Sequence, residues 1–245
     1  MRILAWDTSC KVLSVALCQK EKGTFQIELA ETGDGVTTHS SVLPNTVQKI
    51  LVSLNIKLKD LDLFVAGRGP GSFTGLRAGL AFAKGLAQGT DKFLMGVSSL
   101  LTLAYDLGPE SGLVIPVIDA RHQEIFCQIF RNGEKFYPQA LTDILVLRPD
   151  VFFKTTTRLL NELFPQIIPF VTLVGPGLEL LPPPPSSLFQ RGPSLPPQAT
   201  ALADLAGELF LEEGPQNFPP LPIYGRTPEI FKSYVPPSRI DKSLH

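Results

Sequence analysis

Proline is distributed very unevenly along the 245 residues, and this limits where long helices and strands can form. Only Pro44 and Pro70 fall within residues 1–108, whereas the other 21 of the 23 prolines lie within residues 109–245. Proline lacks an N–H donor and breaks helices and inner strands. The first part can therefore hold long uninterrupted elements, and we expect the second part to be divided into short ones.

Composition and charge exclude several classes of protein. Hydrophobic residues make up 44% of the chain, and a mean hydropathy of +0.15 indicates a buried core. The 22 basic and 23 acidic residues give a net charge of −1, and no run of Lys or Arg forms a basic stripe. Since proteins that hold nucleic acid alone normally carry such a stripe, we expect any nucleic-acid role to be indirect. Only 18% of residues are charged, which suggests that a partner covers some surface.

The cysteines and histidines give no sign of a disulfide framework or a metal cluster. Three cysteines, an odd number, occur without a CxxC spacing, which favours a reducing compartment. The histidines His39, His122 and His245 are too scattered to predict a metal site. No signal peptide is visible, and no apolar stretch reaches the roughly 18 residues that span a membrane. These features predict a cytoplasmic protein with no membrane contact.

Residues 1–108 follow the order βββαβαβα, which predicts an α/β layer with three antiparallel strands on one edge. Apolar residues recur at helical spacing in the first helix, where Leu43, Val47 and Ile50 share one face. The expected strands are 2–6, 12–19, 24–31, 61–66 and 93–97, and the expected helices are 40–54, 76–88 and 98–105.

The second part of the chain restarts this pattern. A strand that ends in Asp and is followed by a meander occurs twice, at Asp7 and at Asp119, and this predicts two related half-domains, residues 1–108 and 109–245. The expected strands of the second are 113–119, 124–130, 136–146 and 171–174, and its expected helices are 151–164 and 199–213. An extended proline-rich loop is expected over residues 182–197, and the tail from residue 216 is expected to wrap the surface.

A glycine-rich loop, residues 67–75, lies between a predicted strand and a predicted helix. The N-terminus of a helix presents unpaired N–H groups and can hold phosphate. The loop lacks the Gly-Lys-Ser/Thr ending of a P-loop and the GxGxxG spacing. From the local sequence we favour a tight turn capped by Ser72 or Thr74, because turns need glycine more often than ligands do.

The helix that follows the loop has two apolar sides, which predicts burial on both. One side carries Leu76, Leu80 and Ala83, and the other carries Gly79, Phe82 and Leu86. One side is expected to pack on the sheet of its own half. The other could meet the 40–54 helix within the chain or a partner protein, and these alternatives stay open on sequence alone.

Several motifs resemble the TsaB (YeaZ) family. The longest is Gly67-Arg68-Gly69-Pro70-Gly71-Ser72-Phe73-Thr74-Gly75-Leu76-Arg77-Ala78-Gly79, and it is long enough to be specific. Asp7-Thr8-Ser9, His39-Ser40, Gly96-Val97-Ser98-Ser99-Leu100 and Ile118-Asp119-Ala120-Arg121 extend the match. The closing motif Pro222-Ile223-Tyr224-Gly225-Arg226 departs from the family's Pro-x-Tyr-Leu-Arg, since Gly225 stands at the Leu position. The resemblance is dense over residues 1–130 and sparse over 131–215.

The resemblance implies a fold and a role. The family implies two ribonuclease-H-like halves of the actin and sugar-kinase superfamily, with mixed sheets flanked by helices. It implies a non-catalytic subunit in the formation of threonylcarbamoyladenosine beside the tRNA anticodon. The catalytic partner would be a TsaD-type transferase, joined by a TsaE-type ATPase, and tRNA would be contacted indirectly through the complex. ATP and metal would belong to those partners, and a homodimer through the same helices is an alternative assembly.

The family also implies where a partner would bind, and bulk at Gly79 is then expected to block that contact. The expected interface residues are His39, Leu43, Val47, Ile50, Leu76, Gly79, Leu80, Phe82, Ala83 and Leu86. Residual nucleotide contacts, if this chain has any, would come from the two Asp turns and the loop. The residues concerned are Asp7, Thr8, Gly69, Gly71, Ser72, Thr74, Arg77 and Asp119.

The comparison with TsaD-like chains predicts that this chain has no catalytic metal. Aligning Gly96 and Val97 places Ser99 and Leu103 where those chains carry a His-x-x-x-His pair, and neither is an ordinary metal ligand. Pro176, within Gly175–Gly177, removes an N–H from a possible adenosine turn. A nucleotide-dependent kinase or hydrolase, using Asp7 and Asp119, is the alternative, and a peptidase is a third that the missing metal pair disfavours.

Overall fold

The computed structural model describes residues 1–21, 24–32, 39–133, 135–166 and 169–225. Two mixed sheets with flanking helices make up these residues, so the predicted α/β class is confirmed. The helices are α1 (His39–Ser53), α2 (Phe73–Thr90), α3 (Ser99–Tyr105), α4 (Phe152–Leu163) and α5 (Ala199–Glu212). None of these helices is both long and apolar enough to cross a membrane.

The first sheet has five strands in the spatial order β3-β2-β1-β4-β5. Its strands are β1 (Arg2–Asp7), β2 (Ser14–Glu21), β3 (Thr24–Thr32), β4 (Leu63–Gly67) and β5 (Phe93–Val97). Strands β1 to β3 run antiparallel, as the sequence predicted, whereas β4 and β5 run parallel to β1. Because β1, β4 and β5 are parallel, their carboxyl ends meet at one edge of the sheet.

The second sheet has the order β10-β7-β6-β11-β12, with two short strands, β8 and β9, beside β6. Its strands are β6 (Leu113–Arg121), β7 (Glu124–Cys127), β8 (Phe130–Arg131), β9 (Gln139–Ala140), β10 (Leu145–Leu147), β11 (Val171–Val174) and β12 (Phe189–Arg191). Every strand after β6 has four residues or fewer, which confirms the division into short pieces. The single strand expected over 136–146 was wrong, because two short strands, β9 and β10, occur there with residues 141–144 between them.

The two faces of the first sheet are covered by different parts of the chain. Helices α1 and α2 cover one face, where Leu43 and Leu80 pack in a cluster with Trp6 and Phe64. Helix α5 comes from the second part of the chain and covers the other face, in a cluster that contains Ile3, Ala5, Leu202, Leu205 and Ala206. The two sheets separate along the chain near residue 108, but α5 returns to the first. A domain boundary at that point therefore stays a prediction.

The C-terminal tail returns to the edge of the first sheet. The backbone N–H of Ile223 donates to the Arg68 carbonyl at 2.7 Å, and the N–H of Gly96 donates to the Phe218 carbonyl at 2.9 Å. The guanidinium of Arg68 also donates to the Pro219 carbonyl at 3.0 Å. As far as residue 225, the tail wraps the surface as predicted, and it lies directly against the glycine-rich loop.

Candidate functional site

The glycine-rich loop between β4 and α2 is packed against the turn that follows β1. The N–H of Ser72 donates to the Ser9 carbonyl at 2.7 Å, and the N–H of Ser99 donates to the Gly69 carbonyl at 2.8 Å. A Cβ on Gly71 would lie 2.2 Å from the Ser9 oxygen, so only glycine allows this approach. Backbone groups of the loop are therefore engaged in hydrogen bonds with other residues of this chain.

Ser72 caps α2, as the sequence predicted, since its Oγ accepts a hydrogen bond from the Gly75 N–H at 3.2 Å. The helix begins at Phe73, three residues before the predicted start, and Thr74 is exposed in its first turn. A cap of this kind uses one of the free N–H groups that would otherwise hold an anion. The tight-turn interpretation of the loop fits this geometry.

Asp7 is buried at the end of β1 and its carboxylate is engaged inside the chain. One oxygen, Oδ1, accepts from the Ser9 N–H at 2.7 Å and from the Ser9 hydroxyl at 2.5 Å. The other, Oδ2, accepts from the Ser99 hydroxyl at 2.6 Å. A Cβ on Gly67 would overlap this carboxylate. A metal ion or phosphate could reach Asp7 only by displacing these groups.

Thr8 lies beside Asp7 and is also buried. Its Oγ1 has no hydrogen-bond partner and faces Gly79, where a Cβ would lie 2.3 Å from that oxygen. Gly79 therefore allows α2 to approach the end of β1, and it does not lie on the surface. Leucine at Gly79 would overlap Thr8 in the core of this chain, so this change cannot separate loss of a partner contact from loss of stability. The expectation that it blocks a partner stays a prediction.

Asp119 occupies the matching place at the end of β6 but is more accessible, at 39% side-chain exposure. Its Oδ1 accepts from the Arg121 N–H at 2.7 Å, and its Oδ2 lies 3.2 Å from the Arg121 guanidinium. The turn that follows holds Arg121, His122 and Gln123 at φ values of 62°, 52° and 60°. Such backbone angles are uncommon in residues other than glycine.

Apolar side chains occupy part of the region where the two halves meet. One buried cluster includes Cys10 and Leu103 from the first half, and Ile118 and Val174 from the second. Burial raises the pKa of the Cys10 thiol to about 12, and the carboxylates of Asp7 and, more weakly, Asp119 act in the same direction. A ligand between Asp7 and Asp119 would therefore have to enter a packed interior.

The Gly175–Gly177 turn, a candidate adenosine contact, is packed against β6. A Cβ on Gly175 would lie 2.6 Å from the Val117 oxygen, and one on Gly177 would lie 2.7 Å from a Val117 methyl group. Pro176 begins a short 3-10 turn. The glycines are thus explained by close packing.

The two positions aligned with a metal-binding histidine pair have structural roles. Ser99 is fully buried and donates to Asp7, while Leu103 is buried in the cluster between the halves. Among the residues that the structure describes, no group of three or more His, Cys, Asp or Glu side chains could hold a metal ion.

The residues expected at the partner interface need correction, because most of them are buried within the chain. The apolar faces of α1 and α2 pack on the first sheet and on each other, so these side chains are not available to a partner. The buried residues are Leu43, Val47, Ile50, Leu76, Gly79, Leu80 and Ala83. Phe82 and Leu86 are partly buried, and the ring of Phe82 lies 5.5 Å from that of Trp6. The side chain of His39 lies outside the described residues.

The exposed face of α2 carries a different set of residues, which the sequence interpretation missed. Phe73, Arg77, Ala81 and Gly85, which we call the α2 strip, recur every four residues and are exposed. Phe73 is 56% exposed, and its ring lies 5.3 Å from the Arg77 guanidinium carbon and 5.0 Å from the Tyr224 ring. A Cβ on Gly85 would meet no atom within 4 Å. The charged residue Arg77 is the feature of the sequence that indicates that this face of α2 is exposed.

Comparisons of the sequence with known proteins identify a family model and several relatives. The family model of TsaD, tRNA N6-adenosine threonylcarbamoyltransferase, matches residues 26–146. The chain is 33% identical over 217 residues to the tRNA threonylcarbamoyladenosine biosynthesis protein TsaB of Escherichia coli, covering 86% of this chain and 88% of that protein. It is 35% identical over 111 residues to a tRNA N6-adenosine threonylcarbamoyltransferase of Thermus thermophilus, covering 41% of this chain and 34% of that enzyme.

A solved structure shows the same fold. YeaZ from Pseudomonas aeruginosa superimposes with a TM-score of 0.71 at 26% identity, covering 91% of this chain and 99% of that one. The predicted fold of two ribonuclease-H-like halves is thereby confirmed.

Proposed function

This chain belongs to the TsaB family of tRNA threonylcarbamoyladenosine biosynthesis proteins, and we propose that it serves that modification as a non-catalytic subunit. Its role would be to bind and organise a TsaD-type transferase, which carries out the transfer to the adenosine beside the anticodon. The observation that carries the proposal is the burial of the Asp7 turn. The hydrogen bonds described above for the Asp7 carboxylate all come from Ser9 and Ser99 of this chain.

The packing around Asp7 supports the absence of catalysis. A general base or metal ligand must reach the substrate within hydrogen-bond distance. Asp7 is instead buried, with Ser99 and Ser9 bonded to its oxygens and Gly67 packed against it. The apolar cluster around Cys10 and Leu103 occupies the part of the region between the halves that lies next to Asp7. These contacts disfavour the alternative of a nucleotide-dependent kinase or hydrolase.

The similarity to the transferase supports the choice of partner. The family model of the transferase covers residues 26–146, which include α1 and α2. Two chains with related halves can pair through equivalent helices about a pseudo-two-fold axis. The α2 strip offers small residues at Ala81 and Gly85, which allow close helix approach, and an aromatic and cationic end at Phe73 and Arg77. We place the transferase contact on this strip.

The same proposal includes an ATPase, tRNA and a homodimer as further assemblies. A TsaE-type ATPase would join the pair, and tRNA would be contacted through the complex, since a chain of net charge −1 lacks a basic surface of its own. In the absence of the transferase, two copies could pair through their α2 strips. We place all of these species in the cytoplasm, where tRNA is modified.

Gly85→Leu gives a sharp test of the partner contact. Leucine has a higher helix propensity than glycine by about 0.8 kcal/mol, and the site has open space, so the isolated chain should become more stable. The same side chain would project from the α2 strip and should weaken binding to the TsaD-type transferase at least about tenfold. Interferometry with the immobilised transferase measures the Kd, and urea unfolding measures stability.

Asn161→Leu on α4 is the matched control, because it adds leucine at another exposed helix position. It should leave the Kd unchanged. An unchanged Kd for Gly85→Leu would remove the α2 strip as the interface, and no complex at all with the wild-type chain would reject the partner role. Tight binding of ATP with magnesium by the isolated chain, measured by calorimetry, would favour the kinase alternative.

A further inference from the structure

A cavity of about 540 Å³ is lined by none of the residues of the glycine-rich loop. It is formed by the C-terminal end of α3, the first turns of α5, and residues 132, 133 and 135–138. Its volume lies within the range of small-molecule sites. The role proposed above for the α2 strip does not use this cavity.

Asp106 is an exposed residue on the lining of the cavity, and its carboxylate lies in an electrostatically unfavourable place. Asp106 is the C-cap of α3, where the partial negative charge of the helix end opposes a carboxylate. Within the described residues, its side chain has no hydrogen bond or ion pair. Desolvation by neighbouring atoms raises the pKa of Asp106. A bound cation would relieve both unfavourable effects.

A second carboxylate, Asp204 of α5, is held in position on the cavity wall. Its Oδ2 accepts a hydrogen bond from the Tyr105 hydroxyl at 2.9 Å, and its Oδ1 lies 3.4 Å from the ammonium of Lys20. Burial first, and Asp204 second, raise the pKa of Tyr105, so this phenol stays a donor. These contacts hold the Asp204 carboxylate in a fixed position on the cavity wall.

Asn132 adds an acceptor that nothing in the chain satisfies. The residue is only 7% exposed and lines the cavity. Its Nδ2 donates to the carbonyls of Ala104, at 2.8 Å, and Gly108, at 3.0 Å, which fixes the orientation of the amide. Its Oδ1 is buried and has no hydrogen-bond partner. Asn132 thus leaves one acceptor unpaired beside the cavity, and Lys135 is a cation on its wall that competes with a ligand.

Aromatic rings complete the lining. Phe136 and Tyr137 meet edge to face with their centroids 4.7 Å apart, and Phe136 is partly exposed. An organic cation is attracted to the face of such rings in addition to carboxylates. The cavity lining thus combines the carboxylates of Asp106 and Asp204, the unpaired Oδ1 of Asn132 and apolar surface, with Lys135 as an opposing charge.

From these features we infer that the cavity is a binding site for a small organic cation, a guanidinium or ammonium group on a short apolar stem. The charged head would lie between Asp106 and Asp204, and the stem would lie against Phe136. Binding of such a cation goes beyond the proposed function and does not depend on the transferase contact at the α2 strip.

The test is a titration of the full chain with butylguanidinium, followed by amide chemical shifts, with n-butylurea as the neutral probe of the same shape. Butylguanidinium should bind with a Kd of about 5 mM or tighter and shift the amides of residues 105–108, 133 and 135–137. Asp106→Asn should weaken this binding about fivefold, as expected for one partly exposed ion pair. Lys135→Gln should strengthen it about twofold, because the competing cation is lost.

Glu110→Gln is the matched control, since Glu110 is an exposed acid near the cavity that does not line it. It should bind butylguanidinium like the wild-type chain. Equal binding of n-butylurea, shifts elsewhere or none, or an unchanged affinity in Asp106→Asn would each overturn the inference. The same chemistry could be offered by an arginine of another protein, so a capped Gly-Arg-Gly peptide is titrated as well. We expect it to bind more weakly, and tighter binding of the peptide would overturn the assignment to a free ligand.

Discussion

The Ser99 hydroxyl donates a hydrogen bond of 2.6 Å to the Oδ2 of Asp7, although the two residues are 92 positions apart in the sequence. The contact joins the first turn of α3 to the end of β1, and both residues are buried. A hydroxyl at this position satisfies a carboxylate that would otherwise be available to a ligand. The hydrogen bond between Ser99 and Asp7, together with the glycine-rich loop, therefore keeps the Asp7 carboxylate from a ligand.

Ser99→Ala should destabilise the chain by about 1–3 kcal/mol, because the buried Asp7 carboxylate loses one of its donors. Urea unfolding measures the change in the free energy of unfolding. Ser53→Ala is the control, since the Ser53 hydroxyl donates only to the Ile50 carbonyl near the end of α1. The control should change stability by no more than about 0.5 kcal/mol. A loss in Ser99→Ala no larger than this would show that the Asp7 contact contributes little.

Two glycines of α2 should respond to alanine in opposite directions. Gly79→Ala places a methyl group 2.3 Å from the Thr8 Oγ1, so the helix or the β1 turn must shift, at a cost of about 1–3 kcal/mol. Gly85→Ala meets no neighbouring atom and should stabilise the chain by about 0.8 kcal/mol through helix propensity. Thermal and urea unfolding of both variants test this. Changes of the same sign would contradict the assignment of Gly79 to the core and Gly85 to the surface.

The elements of the first half could be predicted because their signals are local. The helical spacing of Leu43, Val47 and Ile50 identified α1, and the alternation after Lys20 identified β3. The same spacing could not tell whether the apolar face meets a partner or the chain's own sheet. Most of the expected interface residues proved to be core for this reason, and the exposed strip had to be found from the structure.

Non-local contacts explain what the sequence left out. Strand β12 lies within the proline-rich segment that was expected to be a loop, and it forms because Phe189 and Arg191 pair with β11. The packing of α5 on the first sheet depends on Leu202 and Leu205 meeting Ile3, almost 200 residues away. The cavity beside Asp106 also needs three distant segments. A local sequence pattern does not specify contacts between segments that are distant in the sequence.

The buried thiols should make stability fall in alkaline solution. Burial raises the pKa of Cys10 and of Cys127 from 9.0 to about 12. Above pH 9 the unfolded chain releases protons that the folded chain retains, so the free energy of unfolding decreases as the pH rises from about 9 to 12. The expected slope is about 1.4 kcal/mol per pH unit for each thiol.

Urea unfolding at a series of pH values under reducing conditions measures this slope. Cys10→Ala should be less stable than the wild-type chain at pH 8 because it leaves a small cavity, and it should lose less stability on going to pH 10. If both proteins lose the same amount over this interval, the Cys10 thiol is not kept neutral by the fold.

The glycine that departs from the family motif should be required in this chain. Gly225 has a φ of +65°, and a Cβ there would lie 2.5 Å from the Phe126 ring. Gly225→Leu restores the family residue, but it places leucine in the left-handed region at a cost of about 1–2 kcal/mol and against a buried ring. The tail should therefore detach from the glycine-rich loop.

Hydrogen exchange at the amides of Ile223 and Gly96 reports this detachment, because their hydrogen bonds to Arg68 and Phe218 anchor the tail. Exchange at both should accelerate about tenfold in Gly225→Leu, the change that about 1.4 kcal/mol produces. Gly89→Leu, at an exposed glycine with no atom near its Cβ, should leave both rates unaltered. Unaltered exchange in Gly225→Leu would mean that the tail tolerates the family residue, and that the glycine is not needed for the close contact with Phe126.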